Sequence, residues 1–501
     1  MIFMKTPFPY QVDAINEIRD AIDDGKNVVL EMPTGSGKTF TVLSALQIYD
    51  HFMVNTRTIS QYQPWEREAS ELEIKYTGLI GKTRVCREPY RKVKVGNRVK
   101  YVTSSCTWIE KGERQYCGHY AHQIRYWELR QKGIYRYCKE SYDCPYFELK
   151  NDKKAKMYLS TYVGFFFNFT PIKYHLTVFD EAHNLMNLND FVEFSITREE
   201  LNTLIAHAGV SERKYLIDVR DFLDGKSKTL PVPLTVLSEE SSEIYKALKE
   251  YDPVTWRIYK DEEKYRIKPI DPSYLLRKLE DHQWIMMSGT MFSDDYIKGV
   301  LHLDNYERVT AAPFEPNITY YLYDDEKLNY NFSKRDGLRE KTVNVIKRLK
   351  TTEGITLVVV SSYQLAEWFK GVADYIETRK TRLDEVPRKG LIVAVAKGKI
   401  TEGVEFVQDG RSLIRRVIVV NVPYPQTNDP YFHDVVEYVT KVWGQKTVWK
   451  LMNETAFITV RQAIGRAVRS PNDSAEVYFL DTRFKSLFPR LGLTLNEDVQ
   501  V

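Results

Sequence analysis

Pro33-Thr34-Gly35-Ser36-Gly37-Lys38-Thr39 is the first stretch whose residue types and spacing imply chemistry. Glycines let backbone N–H groups turn inward onto phosphate oxygens, and a helix that starts at the lysine points its positive end at the same anion. Lys38 would reach the β- and γ-phosphates of a nucleoside triphosphate, and the Thr39 hydroxyl would help hold Mg2+. The first glycine of the GxxxxGK[ST] spacing is Met32 here. A second group is Asp180-Glu181-Ala182-His183. Adjacent acids alone usually mark a solvated loop. At the end of a strand and downstream of a phosphate loop, Asp180 is placed to hold Mg2+ through water, and Glu181 to orient and deprotonate the attacking water. A third group runs from Arg461 to Arg469 and is expected to open a basic turn-helix. Arg466 and Arg469 are three apart, so on a helix they share a face and would both reach a γ-phosphate.

These groups need elements to hold them. Val12, Ile15, Ile18 and Ile22 recur at helical spacing over Gln11–Ile22, and Asp23-Asp24-Gly25 ends that helix. Asn27–Leu30 reads as a buried strand into the loop, with an apolar helix after Lys38. Further strands are expected at Phe52–Val54, Thr177–Phe179, Trp284–Met287, Ile355–Val360, Leu391–Val395, Val417–Val422 and Val477–Leu480. Loops such as Asn55–Thr58, Ser288-Gly289-Thr290 and Gly398–Phe406 follow them. Strands alternating with helical segments predict parallel α/β sheets. The set through Thr290 forms one nucleotide-binding core, and the set from about residue 305 forms another. The second core lacks a Gly-Lys-Thr, so it is expected to lend arginines to a nucleotide held by the first.

With 43% hydrophobic and 28% charged residues, the composition excludes wholesale disorder and fibrous repeats. No apolar run approaches the ~20 residues of a membrane span, and the N-terminal stretch lacks a secretory h-region. The chain is therefore expected in the cytoplasm, away from membranes. The formal charge is only +4, but Arg84–Lys139 holds 14 Lys/Arg against 4 Asp/Glu. A basic module on a mildly acidic body implies a polyanionic partner. All five cysteines, Cys86, Cys106, Cys117, Cys138 and Cys144, fall in or just beyond that module. Such clustering suggests a metal or iron–sulfur site rather than a secreted disulfide framework.

The ordered set PTGSGKT, NTRT, DEAH, SGT, GKITEGVEF and RQAIGRAVR resembles a superfamily 2 helicase, and more narrowly the XPD/DinG branch. Cys144-Pro145-Tyr146-Phe147 and VIVVNVPYPQTNDP (417–430) carry the narrower likeness. The resemblance implies two RecA-like parallel-sheet motor domains with ATP between them. It also implies a 4Fe–4S domain and a helical arch domain, both inserted in the first motor. On this sequence the parts would be 1–84, 151–193 and 271–304 for the first motor, 85–150 for the iron–sulfur domain, 194–270 for the arch, and 305–501 for the second motor.

Carried over residue by residue, Lys38, Thr39, Asp180 and Glu181 would bind and hydrolyse Mg·ATP. Gln462, Arg466 and Arg469 would sense the γ-phosphate. Thr56 and Arg57 would touch the DNA backbone, and Gly403 and Glu405 would couple nucleotide to DNA, although the family more often has Asp at the position of Glu405. Tyr10 and Gln11 fall where this branch contacts adenine. The branch likeness also implies 5′→3′ movement on single-stranded DNA, with forked duplex as the unwinding substrate and DNA repair or related metabolism as the setting. A monomer is expected, associated with the nucleoid in a prokaryote.

Four thiolates are the usual complement of a 4Fe–4S cluster. Cys86 and Cys144 resemble the family's first and last ligands, and Cys117 and Cys138 complete the expected set, with Cys106 in reserve. Zinc is the alternative, but zinc ligands more often come as tight CxxC pairs, and this sequence has none. The same segment interleaves its cations with rings such as Tyr90, Tyr101, Trp108, Tyr116, Tyr120, Tyr126 and Trp127. Rings that stack on bases, between cations that track phosphates, suit a single strand. Charge reversal at Arg91, Lys92 and Lys94 is expected to weaken DNA binding and flatten its salt dependence in a titration; affinity unchanged from that of the unaltered chain at both low and high salt would contradict this. Three readings compete with a DNA helicase: an RNA helicase, a translocase that strips proteins without unwinding, and a non-catalytic nucleic-acid scaffold.

Overall fold

The start of the chain folds as its periodicity predicts, except that Val12 faces solvent and Ala14 takes its place in the buried stripe. Helix α1 (Pro9–Asp23) buries Ala14, Ile15, Ile18 and Ile22, has proline in its first turn and ends before Gly25. It leads through β1 (Asn27–Glu31) to α2 (Lys38–Leu46), then to β2 (Phe52–Thr56), α3 (Tyr62–Glu71) and β3 (Tyr76–Gly78). The hairpins β4 (Tyr90–Val95) with β5 (Arg98–Thr103), and β6 (Thr107–Glu110) with β7 (Glu113–Tyr116), follow. Next come β8 (Met157–Thr161), α4 (Tyr162–Phe166), β9 (Leu176–Asp180), β10 (Phe194–Thr197), α5 (Arg198–His207), α6 (Val210–Leu223), β11 (Trp256–Lys260) and β12 (Lys264–Pro269). The chain continues with β13 (Gln283–Ser288), α7 (Asp294–Gly299), β14 (Tyr306–Thr310), β15 (Asn317–Leu322), α8 (Leu338–Leu349), β16 (Ile355–Val360), α9 (Tyr363–Ala366), β17 (Tyr375–Ile376), β18 (Gly390–Val395) and α10 (Lys399–Gly403). It ends with β19 (Val407–Gln408), β20 (Arg411–Ser412), β21 (Ile414–Val419), α11 (Pro430–Trp443), α12 (Gln445–Ile464), β22 (Ser474–Phe479) and α13 (Phe484–Leu491).

The structure is a computed structural model. It describes residues 6–79, 154–166, 174–231, 248–249, 251–323, 337–425, 429–491 and 493, together with the backbone of β4 to β7. Cys86, Cys106, Cys117, Cys138 and Cys144 lie outside the described residues, so the expected cluster ligands do too.

Two compact units divide the chain: Leu46–Asp180 with Asn184–Trp284, and Thr6–Ala45 with Glu181–His183 and Ile285–Val501. In the first, β9, β2, β8 and β3 are parallel neighbours in that order, with Val54 opposite both Leu159 and Val178. The first unit also holds residues 194–270, expected as a helical arch. The segment is mixed instead: α5 and α6 stand beside an antiparallel sheet in the order β10-β12-β11. The strands follow from alternation within short runs. Tyr265 and Ile267 are buried on β12, and Asp261 Oδ1 accepts from Glu263 N and Lys264 N in the turn before it.

In the second unit β1 lies between β14 and β13, all parallel, with Leu30 opposite Val309 and Met287. A six-stranded parallel sheet runs β15-β22-β21-β16-β18-β17. Its inner strands β16 and β18 are buried on both faces, as the middle of a parallel sheet requires. Ile355, Leu357 and Val359 of β16 face a cluster that includes Ala456, Val460 and Ile464 of α12. Val358 and Val360 face Leu338, Val345 and Ile346 of α8. Parallel-sheet α/β architecture is thus as expected from the strand and helix alternation. The strand expected at Val417–Val422 begins earlier, at Ile414, and ends at Val419. Among the described residues, no helix is long and apolar enough to cross a membrane.

Candidate active site

The phosphate loop leaves β1 with its backbone pinned. Met32 N donates to Ser288 O (3.0 Å), and the Met32 side chain is fully buried. The two left-handed turns fall at Gly35 (φ 86°) and Gly37 (φ 81°), and Met32 needs none. That is why a methionine is tolerated where the motif has glycine. Ser36 Oγ donates to Pro33 O (2.7 Å) and closes the loop. Its own carbonyl accepts from Tyr10 Oη (2.9 Å) and Gln11 Nε2 (2.9 Å). Gln11 Oε1 in turn accepts from Phe8 N (2.9 Å). Gln11 is buried and spends both ends of its amide in bracing α1 against the loop. A Cβ on Gly37 would collide with that same amide. The loop is shaped for an anion by backbone geometry, and Lys38, 8% exposed, opens the helix behind it.

Asp180 ends β9. Its Oδ2 accepts from Nε1 of the fully buried Trp65, and its carbonyl accepts from Tyr162 Oη. These two donors fix the strand end. The next residue in the chain, Glu181, takes a left-handed backbone (φ 52°), which costs a non-glycine residue about 1 kcal/mol or more. The turn re-aims its carboxylate. Oε1 lies 3.9 Å from Lys38 Nζ; Oε2 lies 3.4 Å from His183 Nδ1 and accepts from Ser288 Oγ (3.3 Å). Ser288 Oγ also stands 2.8 Å from His183 Nδ1 and accepts from Thr290 N (3.1 Å). Protonation of His183 on Nδ1 satisfies this whole set. An acid held by directed donors beside a buried lysine suits work as a general base.

The arginine segment corrects one expectation. Arg461 to Ile464 close α12 rather than open a helix, and Gly465, Arg466 and Ala467 form the turn after it. Gly465 N bonds Arg461 O (2.8 Å), and Ala467 N bonds Ile464 O (2.9 Å). Arg466 and Arg469 therefore do not share a helix face. Both instead meet the segment after α10: Arg466 Nη1 donates to Val404 O, and Arg469 Nη2 lies 3.9 Å from Glu405 Oε1. Gln462 sits half-buried on the last turn of α12. The turn is fastened by Asp473, which is 2% exposed and whose Oδ2 accepts from Arg469 N (2.8 Å), Ser470 N (2.9 Å) and Ser412 N (3.2 Å).

Burial alone would raise the Asp473 carboxyl, but these N–H donors outweigh it and hold the group below its ordinary value. Its contribution to stability is therefore present above the unfolded value and lost as pH falls through the lower folded one. Asp473→Ala leaves buried donors unpaired and is expected to cost about 2–3 kcal/mol at neutral pH. In melts across pH, the gap to the unaltered chain should shrink below about pH 4. A constant gap would contradict the assignment.

Two clusters thus form within the second unit: Lys38 with Glu181, His183 and Ser288, and Arg466 with Arg469 and the 404–405 segment. Thr56 is fully buried, with its hydroxyl donated to Thr58 O (2.8 Å); Arg57 is exposed and reaches Asn184 Oδ1 (3.2 Å). Trp65 and Tyr162 were not legible as site residues, because no spacing ties them to Asp180.

A phosphate loop, a strand-end acid pair and an arginine turn on parallel α/β sheets define the class of nucleoside-triphosphatase motors. Residues 339–495 match the helicase C-terminal domain family, and residues 4–105 match the type III restriction enzyme res subunit family. The chain is 25% identical to the ATP-dependent DNA helicase XPD of Sulfolobus acidocaldarius, over 95% of this chain and 97% of that protein. It is 30% identical to mouse ATP-dependent DNA helicase DDX11 over 22% of this chain and 13% of that protein. A solved XPD helicase structure superposes with a TM-score of 0.67 at 21% identity, covering 98% of this chain and all of that one. Over nearly its whole length the chain is thus similar to the DNA helicase XPD, and residues 339–495 carry the helicase C-terminal domain.

Proposed function

We propose that this protein is an ATP-driven DNA helicase that moves 5′→3′ on single-stranded DNA and opens forked duplex, acting as a monomer in DNA repair or related metabolism. The observation that carries the reading is the Lys38–Glu181–His183–Ser288 cluster behind a phosphate loop with left-handed Gly35 and Gly37. The loop residues Pro33 to Lys38, with Gln11 bracing them, receive the triphosphate. Lys38 neutralises the β- and γ-phosphates, and Glu181 takes the proton of the attacking water.

Thr39 and Asp180 are the residues that would hold Mg2+, and the ion would supply charge neutralisation of the phosphates. Arg466, Arg469 and Gln462 sense the γ-phosphate. The contacts of Arg466 and Arg469 with the 404–405 segment give that sensing a mechanical route. The basic, ring-rich segment around β4 to β7 is read as the strand-gripping module, with a 4Fe–4S cluster on Cys86, Cys117, Cys138 and Cys144. Action inside the cell, near the nucleoid in a prokaryote, belongs to the same reading.

A strand-displacement assay on forked DNA with either a 5′ or a 3′ tail tests the function, with the visible spectrum recorded alongside. Unwinding that needs ATP and a 5′ tail, from a brown preparation, is the expected result. Displacement only from 3′ tails would reverse the polarity, and a colourless active protein would remove the cluster.

A further inference from the structure

Helix α12 is mostly buried, yet three charged side chains on it point at one neighbouring wall. Lys450, Glu454 and Arg461 stand four and seven residues apart, which places them on one face. Glu454 is 4% exposed; Oε1 accepts from Ser293 N (2.7 Å) and Oε2 from Ser293 Oγ (2.6 Å). Ser293 caps α7, just beyond the Ser288-Gly289-Thr290 loop. Lys450 Nζ lies 3.6 Å from Asp295 Oδ1 on the same short helix. Two turns beyond Glu454, Arg461 Nη2 meets Glu31 Oε1 at 3.1 Å. The second oxygen of Glu31 faces Arg308 Nη1 at 3.5 Å, and Arg308 is itself held by Asp294 (2.8 Å) and Phe292 O. Glu31 is the last residue of β1, immediately before the phosphate loop. Arg461 immediately precedes Gln462 and the arginine turn.

An apolar helix face tolerates sliding by a fraction of a turn, whereas a directed ion pair and a carboxylate with both oxygens committed do not. We propose that Glu31, Arg461 and Glu454 are positioning residues. They set the register of α12 against β1 and the segment after β13, and so fix where Arg466 and Arg469 stand relative to the phosphate loop. The proposal deepens the nucleotide reading above and rests on it for its consequence in turnover.

Two readouts on the full chain separate the two claims. The first is amide hydrogen exchange without nucleotide, in Glu31→Gln, Arg461→Gln, their double variant and Glu454→Gln. Exchange in residues 461–470 should quicken by about tenfold in each single variant, while β16 and β22 stay protected. The double variant should be no faster than Glu31→Gln alone. Unchanged exchange in 461–470, quickening spread evenly over the sheet, or additive losses in the double variant would each overturn the proposal. The second readout is ATP turnover: kcat should fall about tenfold with KM changed less than about twofold. A wild-type chain that hydrolyses no ATP would defeat the nucleotide reading and still leave exchange to decide the register.

Discussion

Glu181→Gln is expected to abolish most ATP turnover while leaving ATP binding almost intact. Glutamine keeps the shape, and its carbonyl oxygen can still accept from Ser288 Oγ, which donates to the Glu181 carboxylate here. It cannot take a proton. Loss of a positioned general base lowers the rate by about 10²–10⁴-fold. Binding should hold because the proposed phosphate contacts are those of the loop backbone and Lys38, with Gly35 and Gly37 in their left-handed turns. Removing the Glu181 charge also relieves Lys38 of a competing partner 3.9 Å away. Steady-state kinetics together with nucleotide binding checks this. Turnover within threefold of the unaltered chain would show that another group activates the water.

Lys38→Ala should be about as damaging to turnover, by a different route. The ammonium is 8% exposed and is the cation that opens α2 behind the loop. Charge that develops on a transferring phosphoryl group is worth most to stabilise in such a sheltered site, and loss of one such donor costs about 10²–10³-fold in kcat. Affinity for ATP should fall as well, unlike in Glu181→Gln, because the lysine interacts with bound phosphates in the ground state. The contrast between the two variants separates a phosphate ligand from a base. Equal effects of both on binding would contradict the division of labour.

How much of this was readable in advance depends on the range of each interaction. The loop from Pro33 to Lys38 and the acid pair at the end of β9 were legible because strand, glycine and charge follow one another locally. Met32 looked like a departure from the motif until the backbone showed that the left-handed positions are Gly35 and Gly37. The braces were not legible. Trp65 meets Asp180 across 115 positions, and Glu454 meets Ser293 across 161. Periodicity carries no information over such distances. The arginine turn was misplaced for a related reason: Arg461–Ile464 is the end of a helix whose start, at Gln445, has little local signal. In 194–270 the helical spacing of Leu201, Leu204 and Ile205 masked the short alternating runs that became β11 and β12.

Hydrolysis of ATP by the purified chain, measured with Mg2+ and increasing amounts of single-stranded DNA, tests the central claim most directly. The expected result is phosphate release that rises with the oligonucleotide and disappears in Glu181→Gln. No release at any DNA concentration, or release that survives in Glu181→Gln, would contradict it.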